Sequence, residues 1–174
     1  MSDALRLMIP RQDELEFYQQ MLEDPATMAY NAPWFPPDGC IPFPESEWAD
    51  WYAEWFGREP ERFFAYLQRE SDGAYVGNVD YHRDPGHDWW DMGIVIHAPE
   101  RGKGYGKAGL ELLLEHAFHV GGVRRMHNVF EETRGAAYHI HLSLGFREIG
   151  WEGGEVHLLL TREEYDARRN CPVT

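Results

Sequence analysis

The stretch Arg101-Gly102-Lys103-Gly104-Tyr105-Gly106-Lys107 constrains the fold more than any other part of the chain. The apolar run Met92-Gly93-Ile94-Val95-Ile96 precedes it, and an amphipathic segment from Ala108 to Phe118 follows it. Together they read as strand, glycine-rich turn and helix. A helix N-terminus offers unpaired backbone N–H groups and about half a positive charge. Glycines let that backbone approach an anion closely. Arg101, Lys103 and Lys107 add charge at the same place, although cations at a helix start oppose the dipole by about 0.3–1 kcal/mol each. That unfavourable placement speaks for a pyrophosphate cradle over a merely solvated helix start.

The remaining elements follow from periodicity and punctuation. A strand is expected at Ala4–Ile9 and a helix from Gln12 to Glu23. The aromatic segment Met28–Gly39 is expected to be irregular, because its prolines oppose a helix. From Glu45 to Phe56, Trp48, Trp51, Tyr52, Trp55 and Phe56 share one face of a helix. Phe63–Gln68 and Ala74–His82 form a hairpin about Ser71-Asp72-Gly73, and Trp89–Ile96 is the strand entering the glycine turn. Helix 108–118 stops at Gly121-Gly122. Then come strand Arg125–Phe130, helix Ala136–Leu144, a hairpin of Phe146–Trp151 with Glu155–Thr161, and a charged helix Glu163–Arg169. This order is mixed α/β of the α+β type, with a mainly antiparallel central sheet and few βαβ units.

With 174 residues, a single domain over 1–174 is the expectation. Apolar residues make 43% of the chain, enough for a globular core. No apolar run approaches the ~18 residues of a membrane span, and the N-terminus lacks a signal-peptide layout. Cys40 and Cys171 suggest reduced, cytoplasmic thiols. The formal net charge of −14 argues against nucleic acid as a partner and suits a cationic one, such as an amine, or solubility alone. The nine histidines show no metal spacing, so no metal is expected.

The glycine run is neither a dinucleotide fingerprint, whose third glycine would fall at Lys107, nor a Walker loop. Its Arg-x-x-Gly-x-Gly spacing resembles the acyl-CoA-binding turn of the GNAT superfamily of N-acetyltransferases. Residues Ile94–Gly106 match that family's fourth strand and following loop. Ala137-Tyr138-His139-Ile140-His141-Leu142-Ser143-Leu144-Gly145-Phe146 looks like its short helix ending in Gly-Phe. The likeness is specific over 91–146 and plausible in element order over 62–161.

The resemblance implies a GNAT-like sheet with splayed fourth and fifth strands and acetyl-CoA as co-substrate. Backbone groups of Ile94, Val95 and Ile96 would face the pantetheine arm. Arg101 and the amides of Gly102, Lys103, Gly104, Tyr105, Gly106 and Lys107 would hold the pyrophosphate. Two positions depart from the family pattern, counted back from Gly145-Phe146. Arg134 stands where the family has Asn, and is expected to bond the cofactor. His141 stands where the family has a Tyr that protonates the leaving thiolate; with an unperturbed pKa of about 6.5 it is the candidate acid. Glu131, following strand 125–130, is the candidate base. Tyr30, Trp34 and Phe35 are expected to cup an acceptor amine by cation–π contact, with Asp80 and His82 beside the cofactor strand as further acceptor-binding residues. The reaction implied is acetyl transfer to a primary amine of a small molecule or peptide by direct attack in a ternary complex. The missing Tyr and Asn favour an alternative, a non-catalytic acyl-CoA-binding module. Similar proteins often form homodimers, and nothing in the sequence specifies an interface.

Overall fold

The computed structural model describes residues 3–171. Seven strands form one sheet: β1 (Leu5–Met8), β2 (Arg62–Arg69), β3 (Tyr75–Arg83), β4 (Trp90–Ile96), β5 (Arg125–Glu131), β6 (Arg147–Glu152) and β7 (Glu155–Thr161). Their order across the sheet is β1-β2-β3-β4-β5-β7-β6. Every neighbouring pair is antiparallel except β4 with β5. That one parallel pair is brief: Trp90 opposes Met126 and Asp91 opposes His127, and the ladder ends there. From Met92 onward β4 is paired only with β3, so its β5-facing edge is open.

Alternation of side chains gives the sheet two faces. On one, Val79 and Tyr81 of β3 and Trp90 and Met92 of β4 pack under helix α4 (Tyr105–His119). The α4 stripe Leu110, Leu113, Leu114, Ala117 and Phe118 is fully buried there, as its 3.6-residue spacing requires. Helices α5 (Gly135–Leu144) and α6 (Arg162–Asn170) flank the same face. Thr161 and Glu164 cap α6 reciprocally.

The other face carries Asn78, Asp80 and His82 of β3 and Asp91 and Gly93 of β4. Over its β2 side lie α1 (Glu16–Leu22), α2 (Pro25–Met28) and α3 (Glu45–Trp55). A second cluster forms here from Leu15, Leu22, Met28, Phe43 and Trp48. Tyr18 and Trp51 both meet Phe64 of β2 edge-on, at 4.9 and 5.0 Å between ring centres.

Three local expectations change. The segment 12–23 is a 3-10 turn at Gln12–Glu14 followed by α1, because the Glu14 carboxylate turns back to accept from the Arg11 N–H while Leu15 drops into the core. Two helical turns, α2 and a 3-10 turn at Ala29–Asn31, stand where irregular chain was expected to begin. Asp24 caps α2 by accepting from the N–H groups of Ala26 and Thr27, with Pro25 at its first position. Finally, α4 starts at Tyr105, inside the glycine turn itself. No described helix is long and apolar enough to cross a membrane.

Candidate active site

Below the opening, β4, β5 and β7 are joined by a chain of polar side chains centred on the buried His127. Asp91 Oδ1 lies 2.6 Å from His127 Nδ1, and His127 Nε2 lies 3.0 Å from His157 Nδ1 of β7. Asp91 and His127 are also the last parallel pair, so this clasp sits where β4 and β5 part. The indole of Trp89 stacks on His127 at 4.4 Å and closes it from solvent.

Beyond the clasp, two cavities meet between the parted strands. One, of about 250 Å³, runs along Ile94, Val95 and Ile96 to Gly106 at the start of α4. The other, of about 580 Å³, lies toward α1 and α2 and reaches Asn78, Asp80 and Gly93. Tyr30, Ile94, Val95, Arg134, Ala137 and His141 line both, so the two are halves of one passage through the sheet.

The glycine turn keeps its backbone N–H groups free to donate. Gly102 and Gly104 have φ of 77° and 84°, the left-handed region where a side chain is strained. Gly104 caps α4 without a side-chain acceptor. The first bond of that helix runs from the Ala108 N–H to the Gly104 carbonyl. Among the described residues, no carbonyl or side chain accepts from the six amides of Gly102 to Lys107. Six free N–H groups on one turn are a fit for an oxyanion.

The charged residues of the turn divide. Lys107 is exposed and has no ion-pair partner among the described residues. Lys103 Nζ is 2.8 Å from Glu100 Oε2, which also receives Arg69. Tyr105 is buried in the core, with only its backbone on the turn. Arg101 lines the first cavity beside Ile96, and its guanidinium donates to the carbonyls of Ile96, Ala26 and Thr27, the last at 2.6 Å. The Ala26 and Thr27 carbonyls are among those that the end of α2 leaves without a helical partner, and the Ile96 carbonyl ends β4. Ala98 N–H adds a bond to Thr27 Oγ1 at 3.0 Å. The turn is thus tied to the helical cover of the second cavity. Arg101→Ala is expected to lower the unfolding free energy by about 1–2 kcal/mol, read by urea denaturation, since it strands three carbonyls of which two are part of that cover. A variant as stable as the wild type would show that water replaces the guanidinium fully.

Across the passage, the Arg134 guanidinium sits over the Tyr30 ring at 4.9 Å, joining the start of α5 to the turn after α2. His141 is buried; its Nδ1 donates to the Ala137 carbonyl at 2.7 Å and its Nε2 accepts from Asn128 Nδ2 at 3.0 Å. The Asn128 amide is oriented by its own Oδ1, which accepts from the Val129 N–H. Burial holds the His141 pKa below its ordinary value, so the ring is neutral near pH 7 and has no proton facing the passage.

Of the acceptor-side candidates, Tyr30, Trp34 and Asp80 line the second cavity together. Phe35, 45% exposed, is not among its lining residues. His82 lies beside the cavity, edge-on to Trp55 and 3.9 Å from Asp91. Glu131 ends β5 outside the lining, whereas Glu155, its cross-strand partner on β7, is part of it. Sequence reasoning did not single out Asn78, Asn128 or Glu155. The alternation of β3 puts Asn78 on the face of Asp80, and that was the available signal for it. No three His, Cys, Asp or Glu side chains among the described residues are gathered as around a metal ion.

A passage between parted parallel strands, ending at free amides on a helix start, is the arrangement of an acetyltransferase fold. The family profile described as an acetyltransferase (GNAT) domain matches residues 4–147. The chain belongs to the GNAT acetyltransferase family. Solved structures share the fold at low identity. The spermidine N-acetyltransferase from Vibrio cholerae, solved in complex with CoA and spermine, superposes with a TM-score of 0.75 at 16% identity, over 92% of this chain and 97% of that one. A GNAT-family acetyltransferase from Bacillus anthracis gives 0.71 at 17% identity, over 94% and 98%. FdhC, a nucleotide-linked sugar GNAT, gives 0.73 at 15%, over 97% and 92%. No curated protein matches by sequence.

Proposed function

We propose that the chain transfers an acetyl group from acetyl-CoA to a primary amine of a small molecule or peptide, by direct attack within a ternary complex. The observation that carries this is the passage itself: one half leads to six free amides, the other ends on a carboxylate among aromatic rings. In this reading the amides of Gly102 to Lys107 hold the pyrophosphate, with Lys107 adding charge from the helix surface. The open edge of β4 over Ile94–Ile96 receives the pantetheine arm. Arg134 stands between the two halves, within reach of either reactant. Tyr30 and Trp34 supply ring faces to an ammonium group, a contact worth about 0.5–2 kcal/mol each. The Vibrio cholerae neighbour holds CoA and a polyamine on the same fold, which supports this class of reactants.

His141 is assigned a positioning role here. Its bonds to the Ala137 carbonyl and Asn128 fix the wall between the cavities, and a proton for the departing thiolate would have to come from elsewhere. Rate acceleration then rests on alignment and on backbone donors around the developing oxyanion. The test is thiol release from acetyl-CoA with polyamines, aminoglycosides, amino acids and peptide N-termini as acceptors. Acceptor-dependent release is the expected result. Tight CoA binding with no release for any acceptor would point instead to a non-catalytic acyl-CoA-binding module.

A further inference from the structure

We propose that Asp80 is the general base of the transfer, taking the proton from the acceptor ammonium, with Asn78 orienting the incoming nitrogen and Gly93 making room for the carboxylate. The assignment rests on the acetyl transfer proposed above and gives that reaction a group which neither His141 nor Glu131 supplies.

Asp80 sits on β3 directly opposite Gly93 of β4, one residue beyond the point where β4 loses its partner β5. A methyl group on Gly93 would lie 2.7 Å from Asp80 Oδ2 and 2.9 Å from Oδ1, so the carboxylate lies over the glycine's Cα. It therefore stands against the strand segment that leads into Ile94 and Val95, which line both cavities. Asn78, two residues away on the same face, is 2% exposed. Its Nδ2 is 3.5 Å from Asp80 Oδ2, and its Oδ1 is buried with no donor among the described residues. A buried amide oxygen without a donor is costly unless something arrives to fill it. Two acceptors side by side, backed by the rings of Tyr18 and Tyr30, match an ammonium group with several N–H donors.

The chemistry balances. Asp80 takes one proton from the ammonium and frees its lone pair. The nitrogen attacks the thioester carbonyl carbon, and the C–S bond breaks as the tetrahedral intermediate collapses. The second proton lost by nitrogen goes to the departing thiolate, and Asp80 returns its proton to solvent. Burial raises the Asp80 carboxyl to about 7, which makes it a stronger base than an exposed aspartate while leaving it ionised above neutrality. Of the ionisable groups sharing the cavity, burial raises Tyr18 and Tyr30 and lowers His141, and the Arg134 guanidinium lines the same space. Glu155 from β7 shares the cavity, and His82 and Asp91 lie next along the same face.

The experiment compares wild type, Asp80→Asn, Asp80→Ala and Gly93→Ala, with spermidine, kanamycin, tyramine and alanyl-leucine as acceptor probes. Expected for Asp80→Asn is a fall in kcat of about 10²–10⁴-fold with CoA affinity unchanged. The wild-type kcat/KM should drop below a midpoint near pH 7, and that limb should vanish in the variant. Formate should restore part of the Asp80→Ala rate, a response that a structural role would not give. Gly93→Ala should lower kcat by displacing the carboxylate while leaving CoA bound. Asp80→Asn turnover within about threefold of wild type from pH 6 to 9 overturns the assignment alone. A wild type that binds CoA and acetylates none of the probes overturns the parent reading and this one with it.

Discussion

Gly104→Glu removes detectable coenzyme A binding, weakening it by at least about 100-fold. The substitution acts on the site twice. Gly104 holds φ at 84° as the cap of α4, a conformation that costs an L-residue roughly 1–2 kcal/mol. The new carboxylate would also sit at the mouth of the six free amides and compete for them. At a separation near 4 Å and an effective dielectric of about 20, its repulsion of one phosphate charge is roughly 4 kcal/mol. A 100-fold loss needs only about 2.7 kcal/mol, so the larger of the two effects suffices. Calorimetric titration reads the affinity, and circular dichroism checks that the fold is intact. An unchanged dissociation constant would place the pyrophosphate somewhere other than this turn.

Asp80→Asn makes the protein more stable at pH 8 by about 2–4 kcal/mol. An unfolded aspartate titrates near 3.9, and burial holds the folded carboxyl at about 7. Between those values the folded chain keeps a proton that the unfolded chain has released. Stability contributed by that proton is present in full below about pH 4 and is lost as pH rises through about 7. Three units correspond to about 4 kcal/mol as an upper bound, and solvent in the cavity trims it. Asparagine cannot ionise, so the variant escapes the loss. For a chain of this size the gain is a melting temperature higher by on the order of 10 °C at pH 8, with the two proteins converging near pH 4. Melting curves across that range read it without any substrate. Coincident melts at pH 8 would mean that Asp80 is ionised at little cost. The sign also links stability to function: a carboxylate kept for chemistry in a poorly solvated cavity is a burden on the folded state.

The parts of this molecule that sequence reasoning reached are those written in consecutive residues. The turn at Gly102–Lys107 is legible because alternating glycines between an apolar run and an amphipathic stripe have few other uses. The end of α5 is legible because Gly145, at φ 103°, must follow a helix that stops. The α2 turn escaped because four residues carry no period, although Asp24-Pro25 is a fair start signal. What the sequence hid is what depends on distant partners. Nothing local tells that Arg101 spends its guanidinium on Ala26 and Thr27, some 75 residues away. The character of Asp80 depends on an opposing glycine in the next strand, and the clasp of Asp91, His127 and His157 spans three strands. Glu131 and Glu155 differ only in which of two facing strands reaches the cavity. Histidine at position 141 looks like an acid until its two nitrogens are seen to be taken.

In the proposed function, the free amides of one helix start grip the diphosphate of coenzyme A. This grip is tested most directly by following backbone ¹H–¹⁵N resonances while the coenzyme is titrated into the wild-type protein. Saturable downfield proton shifts concentrated at Gly102 to Lys107 are expected, with smaller shifts along Ile94–Ile96. Saturable binding that leaves those six amides unmoved would contradict it.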